Sequence, residues 1–322
     1  MRMGSLACAV ILLGLPLTSH AAGDDGMVLL RKVARAAHVL NYTGTFVYQY
    51  DNRVETSKIT HYVDRTGEYE KFETLNGPLR EVVTTRKGVL CYSSVKRRVR
   101  VEPIHTRSFF PALLPERVGG LKTLYTIRLG DEERVAGRNC QVIWLTPKDA
   151  FRYGHKLCVD THTGLLLSAA MFKKPPHEID RFSFTQLNLK GPFDRAAVRP
   201  SPAWRRLVWH RDASVIVRGS DGGAGWEVKD PPAGFEKIME LRRTLPGKKM
   251  PVTHLVYSDG LVAVSVFIEP LSDLAHAMQG LTSEGVINIY ARPVLNYQVT
   301  VLGEVPAATV TQMADSVAVS AH

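Results

Sequence analysis

Between Tyr42 and about Leu189 the chain alternates apolar and polar side chains, in segments separated by "DN", "RTG", "NGP", "RKG", "GG", "PKDA" and "HTG". A period of two belongs to strands with one covered and one exposed face, and the breakers are turn formers. So long a run of alternation predicts one large antiparallel sheet in meander order. Strands in such number curl to protect their edges. Only the stretch around Ser108 to Leu124 reads as irregular or helical. Ahead of the sheet, "DDGMVLLRKVARAAHVL" puts Leu29, Val33, Ala36 or Ala37 and Leu40 on one helical face, with Asp24 or Asp25 as N-cap. The expected fold is α+β: a large curved antiparallel sheet, an unclosed barrel, around helices.

One hairpin is readable residue by residue. In "NYTGTFVYQYDNRVETSKITHYVD" a two-residue turn at Asp51-Asn52 pairs Tyr42, Gly44, Phe46, Tyr48 and Tyr50 with His61, Ile59, Ser57, Glu55 and Arg53. One face is then aromatic and the other mainly threonine and polar, whereas a three-residue turn would mix them. Gly44 and Ser57 leave space on the aromatic face. That face fits a concave acyl-chain wall carrying Tyr42, Phe46, Tyr48 and Ile59 as lipid-binding candidates. It also fits a plain core.

The seam of the chain is "RAAVRPSPAW", where two prolines, small residues and arginines interrupt the periodicity. The expected organisation is a leader at 1–21, a first domain at 22–195, a linker at 196–204 and a smaller second domain at 205–322. The second is also α+β. It carries a two-residue turn at Asp259-Gly260, a hairpin around Arg292-Pro293, and a final helix starting at Pro306 that buries Val310, Met313, Ala314 and Val317. Residues 22–202 hold 29 Lys/Arg against 19 Asp/Glu, whereas 203–322 hold 11 against 12. The basic field therefore belongs to the first domain. In "SSVKRRVRVE", Lys96, Arg98 and Arg100 line one strand face and form a candidate contact for phosphates or acidic groups. An edge strand charged against aggregation is the other reading.

The start has a basic residue, an apolar run from Leu6 to Leu17 and a small-x-small site at Ser19-His20-Ala21, as a secretory leader does. Export removes nucleic acid as the target of the basic field, leaving anionic lipid, polyanionic glycolipid or an acidic protein segment. Cys91, Cys140 and Cys158 remain after the leader, an odd number that leaves one thiol over or pairs two chains, so a homo-oligomer stays open. A hairpin centred on Asp149 sets Cys140 opposite Cys158 and permits a disulfide; the alternative is three buried thiols.

Catalytic signatures are missing. Ser93-x-x-Lys96 matches a penicillin-binding nucleophile motif in form only, since that motif needs a helix start and a Lys-Thr-Gly strand, and the chain has no Gly-x-Ser-x-Gly and no His-Glu-x-x-His. Cys158, Asp160 and His162 share a strand face but run into the turn "THTG", where such residues serve the turn itself. No cofactor and no metal is expected.

"NYTGTFVYQ", "RYGHKLCVDTHTGLLL", "GWEVKDPPAGF", "HLVYSDGLVAVSVFIE" and "YQVTVLGEVPAATVTQMADSV" resemble, in order and in both domains, the periplasmic RseB/MucB family of negative regulators of the envelope-stress sigma-factor pathway. The resemblance implies a first domain like the lipoprotein carriers of the LolA and LolB type. It also implies a non-enzymatic role: binding the periplasmic part of a membrane-spanning anti-sigma factor, shielding it from a regulatory protease, and release on binding lipopolysaccharide or related lipid. A periplasmic lipid or lipoprotein carrier, needing only the first domain, and an exported hydrolase are the competing readings.

Overall fold

The computed structural model describes residues 21–95, 98–102, 110–115, 118–174, 177–202, 204, 207–211, 215–216, 225–243, 250–271 and 277–320. The predicted leader lies outside them, apart from Ala21. The first helix, α1 (Ala21–Val39), starts earlier than Asp24 or Asp25 would cap it. Its covered face is centred on Leu30, with Met27, Val33, Ala34 and Ala37.

The large sheet contains β1 (Tyr42–Tyr50), β2 (Arg53–Asp64), β3 (Gly67–Thr74), β4 (Arg80–Thr85), β5 (Gly88–Ser93), β6 (Arg98–Glu102), β7 (Tyr125–Val135), β8 (Arg138–Pro147), β9 (Gly154–Asp160), β10 (Leu166–Lys174), β11 (His177–Asn188) and β12 (Val208–Arg211). Across the sheet the order is β12-β6-β5-β4-β3-β2-β1-β11-β10-β9-β8-β7. The pure meander expected from the sequence is therefore corrected: two meanders meet where β1 pairs with β11. Turn chemistry specifies only neighbours in sequence, so the β1–β11 pairing has no local signature.

Between β6 and β7 the chain must pass from one end of the strand order to the other. This is the stretch that read as irregular. Its Phe110, Leu114, Val118 and Leu121, the last opening α2 (Leu121–Leu124), are buried in the same core as α1 and the inner face of the sheet. The sheet thus remains open, with β12 and β7 at its ends and its inner face filled by one helix and one crossing segment.

The hairpin β1–β2 has the register read from its alternation, Tyr42↔His61 through Tyr50↔Arg53, with Asp51 at φ 48° in the turn. The β8–β9 hairpin corrects a register: Cys140 lies opposite Asp160, and Cys158 opposite Val142. Moving the hairpin centre by one residue moves each partner by two, which keeps both cysteines on one face. They form a disulfide with Cα atoms 5.4 Å apart, while Cys91 is not in a disulfide.

The second sheet is built from β13 (Val215–Ile216), β15 (Glu236–Arg243), β16 (Val252–Ser258), β17 (Ala263–Pro270), β18 (Gly280–Glu284), β19 (Ile287–Val294) and β20 (Tyr297–Gly303), in the order β13-β15-β16-β17-β20-β19-β18. A small pair joins β14 (Trp226–Val228) to β21 (Val317–Val319). The helix α3 (Ala307–Asp315) follows Pro306 and buries Val310, Met313 and Ala314, with Val317 just beyond its end. Two turns differ from expectation. The β16–β17 connection runs through four residues, because the Asp259 carboxylate accepts from the N–H groups of Leu261 and Val262 at 2.9 and 3.0 Å and holds a wider loop. Arg292 and Pro293 lie inside β19, opposite Val299 and Gln298 and past the end of β18. A proline there leaves no ladder donor missing towards β18, and the turn falls at Leu295-Asn296.

The predicted linker is not free chain. Trp204 is buried against Val83 and Val99, and β12 beyond it adds to β6 in parallel. The division near this seam is kept as a proposal, with 208–211 counted on the first sheet.

Candidate functional site

The aromatic face of β1–β2 looks into the first core. Tyr42, Phe46 and Ile59 are fully buried. The Phe46 ring centroid lies 5.2 Å from Phe110, 5.5 Å from Phe72, 6.0 Å from Phe184 and 6.2 Å from Phe182. These separations are those of tilted and edge-on aromatic packing, which holds rings together beyond simple area burial. Gly44 is required here, since a Cβ would stand 2.6 Å from the Phe184 ring. Three of the four predicted wall residues therefore sit in packed core, and Phe110, from the crossing segment, lies over them.

Tyr48 differs. It is half-buried, stacks on Phe182 at 4.2 Å and on Tyr50 at 4.8 Å, and donates its hydroxyl to Asp180 Oδ2 at 3.3 Å. Burial pushes the Asp180 carboxyl up to about 7, and the charge of Glu304, from the second domain, pushes the same way. Hence the edge of the aromatic cluster is also the place where the charges of an acid from each domain act on one another.

A different polar network fastens the opposite end of the hairpin. His61, buried and stacked on Tyr42 at 4.8 Å, has Nδ1 2.7 Å from the Leu40 carbonyl and Nε2 3.0 Å from Glu68 Oε1. The same oxygen is 2.9 Å from His38 Nδ1. Burial raises the Glu68 carboxyl, but the hydrogen bonds and charges of the two histidines outweigh it and hold the group at about 2. At neighbouring Glu70 burial outweighs the charges of His61 and His38 and pushes the carboxyl up to about 7. This cluster ties the end of α1 to β2 and β3.

The basic ladder falls in β6, which is not an edge, because β12 covers it. Lys96 lies outside the described residues. The register carries Arg100 through Cys91, Val82, Phe72 and Ile59, and Arg98 through Ser93 to Arg80, whose N–H donates to Thr74 Oγ1, with Thr74 leading on through Ser57 to Phe46. Two positions that read as a separate basic strand therefore share a sheet face with the aromatic wall. On the other face an open depression of about 420 Å³ is lined by Tyr69, Val83, Thr85, Leu90, Arg195 and Val198, with Arg199 and Pro200.

Sequence reasoning missed the seam between the domains. The segment read only as the turn "PKDAFRY" carries Arg152, whose side chain is fully buried. Its Nε donates to Asp259 Oδ2 at 3.0 Å, Nη2 donates to the Ala233 carbonyl at 2.6 Å, and Nη1 donates to Asp149. Tyr125 also donates to Asp259 Oδ2, at 3.4 Å. Thr309 donates to the Phe151 carbonyl at 2.6 Å, Asn288 donates to the Tyr153 hydroxyl at 3.2 Å, and Tyr153, Met171 and Val286 form a small apolar cluster beside them. The available signal was an arginine between two aromatics in a turn, a costly place for a charge unless it has a buried partner.

Cys158, Asp160 and His162 do not assemble a metal site. Cys158 is in the disulfide, Asp160 is bonded to Arg138 at 2.6 and 3.2 Å, and its remaining capacity goes to the turn N–H groups of His162 and Thr163. Ser93 lies within β5, opposite Arg80 and Arg98, away from any helix start.

Residues 25–202 match the MucB/RseB N-terminal domain, and residues 220–318 match the MucB/RseB C-terminal domain. The sigma factor AlgU regulatory protein MucB of Pseudomonas aeruginosa is 31% identical over 315 residues, 95% of this chain and 94% of that one. The sigma-E factor regulatory protein RseB of Haemophilus influenzae is 24% identical over 326 residues, 98% of this chain and 99% of that one. Among solved structures, the Pseudomonas aeruginosa MucA/MucB complex contains a chain that superposes with a TM-score of 0.72 at 29% identity, covering 92% of this chain and 100% of that chain. The crystal structure of MucB in complex with MucA(peri) gives the same values.

Proposed function

The chain belongs to the MucB/RseB family, and from that premise we propose that it is a periplasmic, non-enzymatic regulator of a sigma-factor pathway. It binds the periplasmic part of a membrane-spanning anti-sigma factor, protects that protein from regulatory proteolysis, and lets go when lipopolysaccharide or a related lipid binds. The observation that carries this reading is the likeness, through both domains, to MucB solved with MucA(peri).

The chemistry of the first domain's inner face supports the lipid part of this reading. Acyl chains would lie against Phe46, Phe72, Phe182 and Phe184, with Tyr48 at the mouth, in the space that Phe110 and its segment occupy. Phosphates would meet the β6 positions Arg98 and Arg100 on the same sheet face, where charge-assisted bidentate bonds are strong. A lipid switches the complex only if it binds the partner-free form better than the bound one, since equal affinity shifts nothing. Displacing the crossing segment, which runs on into α2, provides such a difference. Gly234 of the second domain packs against Leu124 of α2, so moving that segment is felt at the seam.

The test is co-purification of the mature chain with the periplasmic segment of its cognate anti-sigma factor, with and without lipopolysaccharide. Association in the lipid-free state and dissociation on adding lipid are expected. Failure to associate without lipid would overturn the reading.

A further inference from the structure

One end of the first sheet carries exposed apolar side chains that no core claims. At the end where β2, β4, β6 and β12 begin, Val54, Leu75, Leu79, Val95 and Val208 are all exposed, from 45% for Leu79 to 75% for Val208. Trp209, next to Val208, is also exposed. Six strands at about 4.8 Å spacing make this rim about 24 Å long. A contiguous exposed apolar run of this extent marks an interaction surface rather than ordinary scatter.

The rim is held out firmly. Leu75 N–H donates to the Thr56 carbonyl at 2.8 Å, Asn76 bonds Thr56 N–H and the Val54 carbonyl at 2.7 and 3.0 Å, and Thr74 Oγ1 receives Arg80 N–H at 2.8 Å. Ser94 N–H donates to the Leu79 carbonyl at 2.9 Å. With its backbone groups satisfied locally, the 75–79 turn has no need to fold its leucines inward, and they stay in water.

We propose that this rim is a membrane-docking edge that seats the protein on an anionic bilayer surface. Exposed Arg53 and Arg80 flank the aliphatic residues, in a domain whose charge balance is strongly positive. Glu55, at the same end, is engaged by the Tyr50 hydroxyl at 3.2 Å. Aliphatic side chains on protruding turns enter the headgroup and acyl boundary, basic groups are attracted to anionic headgroups, and tryptophan prefers that interface. A second copy is disfavoured as occupant, because a two-fold contact would bring the basic Arg53 and Arg80 end of one copy against the same basic end of the other. The edge lies at the end of the row that leads through Arg80 to Phe46, away from the rings themselves, and docking there does not depend on a lipid binding among the rings.

The experiment is flotation of the full mature protein with phosphatidylethanolamine/phosphatidylglycerol vesicles and with phosphatidylcholine vesicles. The protein should float with the anionic vesicles only. Leu75→Asp with Leu79→Asp should weaken binding by about tenfold or more, with an unchanged unfolding midpoint and an intact complex with the anti-sigma segment. Val208→Ser with Trp209→Ser should weaken it less. No flotation of the wild type, or equal flotation of the leucine variant, overturns the proposal. Self-association that the leucine substitutions abolish also overturns it, and assigns the rim to a second copy. Retention of the partner complex keeps a failure here distinct from a failure of the regulatory reading.

Discussion

The two sheets bury their inner faces in different ways. In the second domain, Val264, Val266, Val299, Val301 and Val305, with Trp226, Phe235 and Tyr257, make a core closed by Val310, Met313 and Ala314 of α3, an element contiguous with the sheet it covers. In the first domain, a wall of rings around Phe46 is covered by Phe110 and its neighbours, a segment that belongs to neither meander and only passes between them. A core locked by a regular helix has one arrangement. On the function proposed above, rings covered by an irregular strap exchange the strap for an acyl chain, and the net positive charge lies on that domain. On that proposal the first domain responds to ligand and the second holds its shape.

The seam is where that contrast is most exposed to attack. Asp259→Ala removes the buried one of the two carboxylates that Arg152 engages, leaving it Asp149, and should cost about 3 kcal/mol. Differential scanning calorimetry should then resolve the two domains as separate transitions. A single unshifted transition would mean that the domains do not depend on this ion pair. Phe46→Ala removes the hub of the ring cluster and should cost about 3–5 kcal/mol, confined to the first domain by the same measurement.

Phe110→Ala separates cover from core. As part of a strap it should cost less, about 1–2 kcal/mol, and should tighten lipopolysaccharide binding, because the ligand no longer competes with a ring. A loss as large as that of Phe46→Ala, with no gain in lipid affinity, would put Phe110 in the permanent core and abolish the distinction between the two domains.

The smallest effect expected is on pH dependence. Asp180 has a raised folded-state value near 7 from burial and from Glu304. The native state therefore binds the proton more tightly, and this contribution is complete below the unfolded value of about 4. It falls away as pH rises through about 7, when the charged Asp180 faces Glu304 across the domains. Hydrogen exchange at the seam should quicken over that interval, and Asp180→Asn should flatten the profile. Glu68 has the opposite sign: its value is lowered to about 2, so its contribution is present at neutral pH and lost only in acid. A seam indifferent to pH in the wild type would remove Asp180 from the comparison.

Much of this was legible locally. The β1–β2 register followed from alternation and from Asp51-Asn52, because a two-residue turn leaves only one pairing that segregates the rings. α3 was read from Pro306 and a four-residue apolar face. The cysteine pair was placed on the right strands with the partner two residues off, since the looser turn at 148–153 carries no register signal. Arg292-Pro293 was misread because proline signals a turn unless its missing N–H falls where no neighbour needs it. The seam was missed altogether, because Asp259 served as a turn residue in the sequence and its second oxygen gave no sign of a partner 107 positions away.

By itself, then, the sequence determined the strands, their faces, the first hairpin and the charge division, all of which depend on neighbours a few residues apart. Only the tertiary structure decided that β11 returns to β1, that Phe110, Leu114, Val118 and Leu121 fill the inner face, that Arg98 and Arg100 share that face with the rings, and that Arg152 reaches Asp259. Those are contacts between distant segments. They are chosen by which arrangement buries the most apolar surface while pairing every buried charge, a condition on the whole chain that no local pattern encodes.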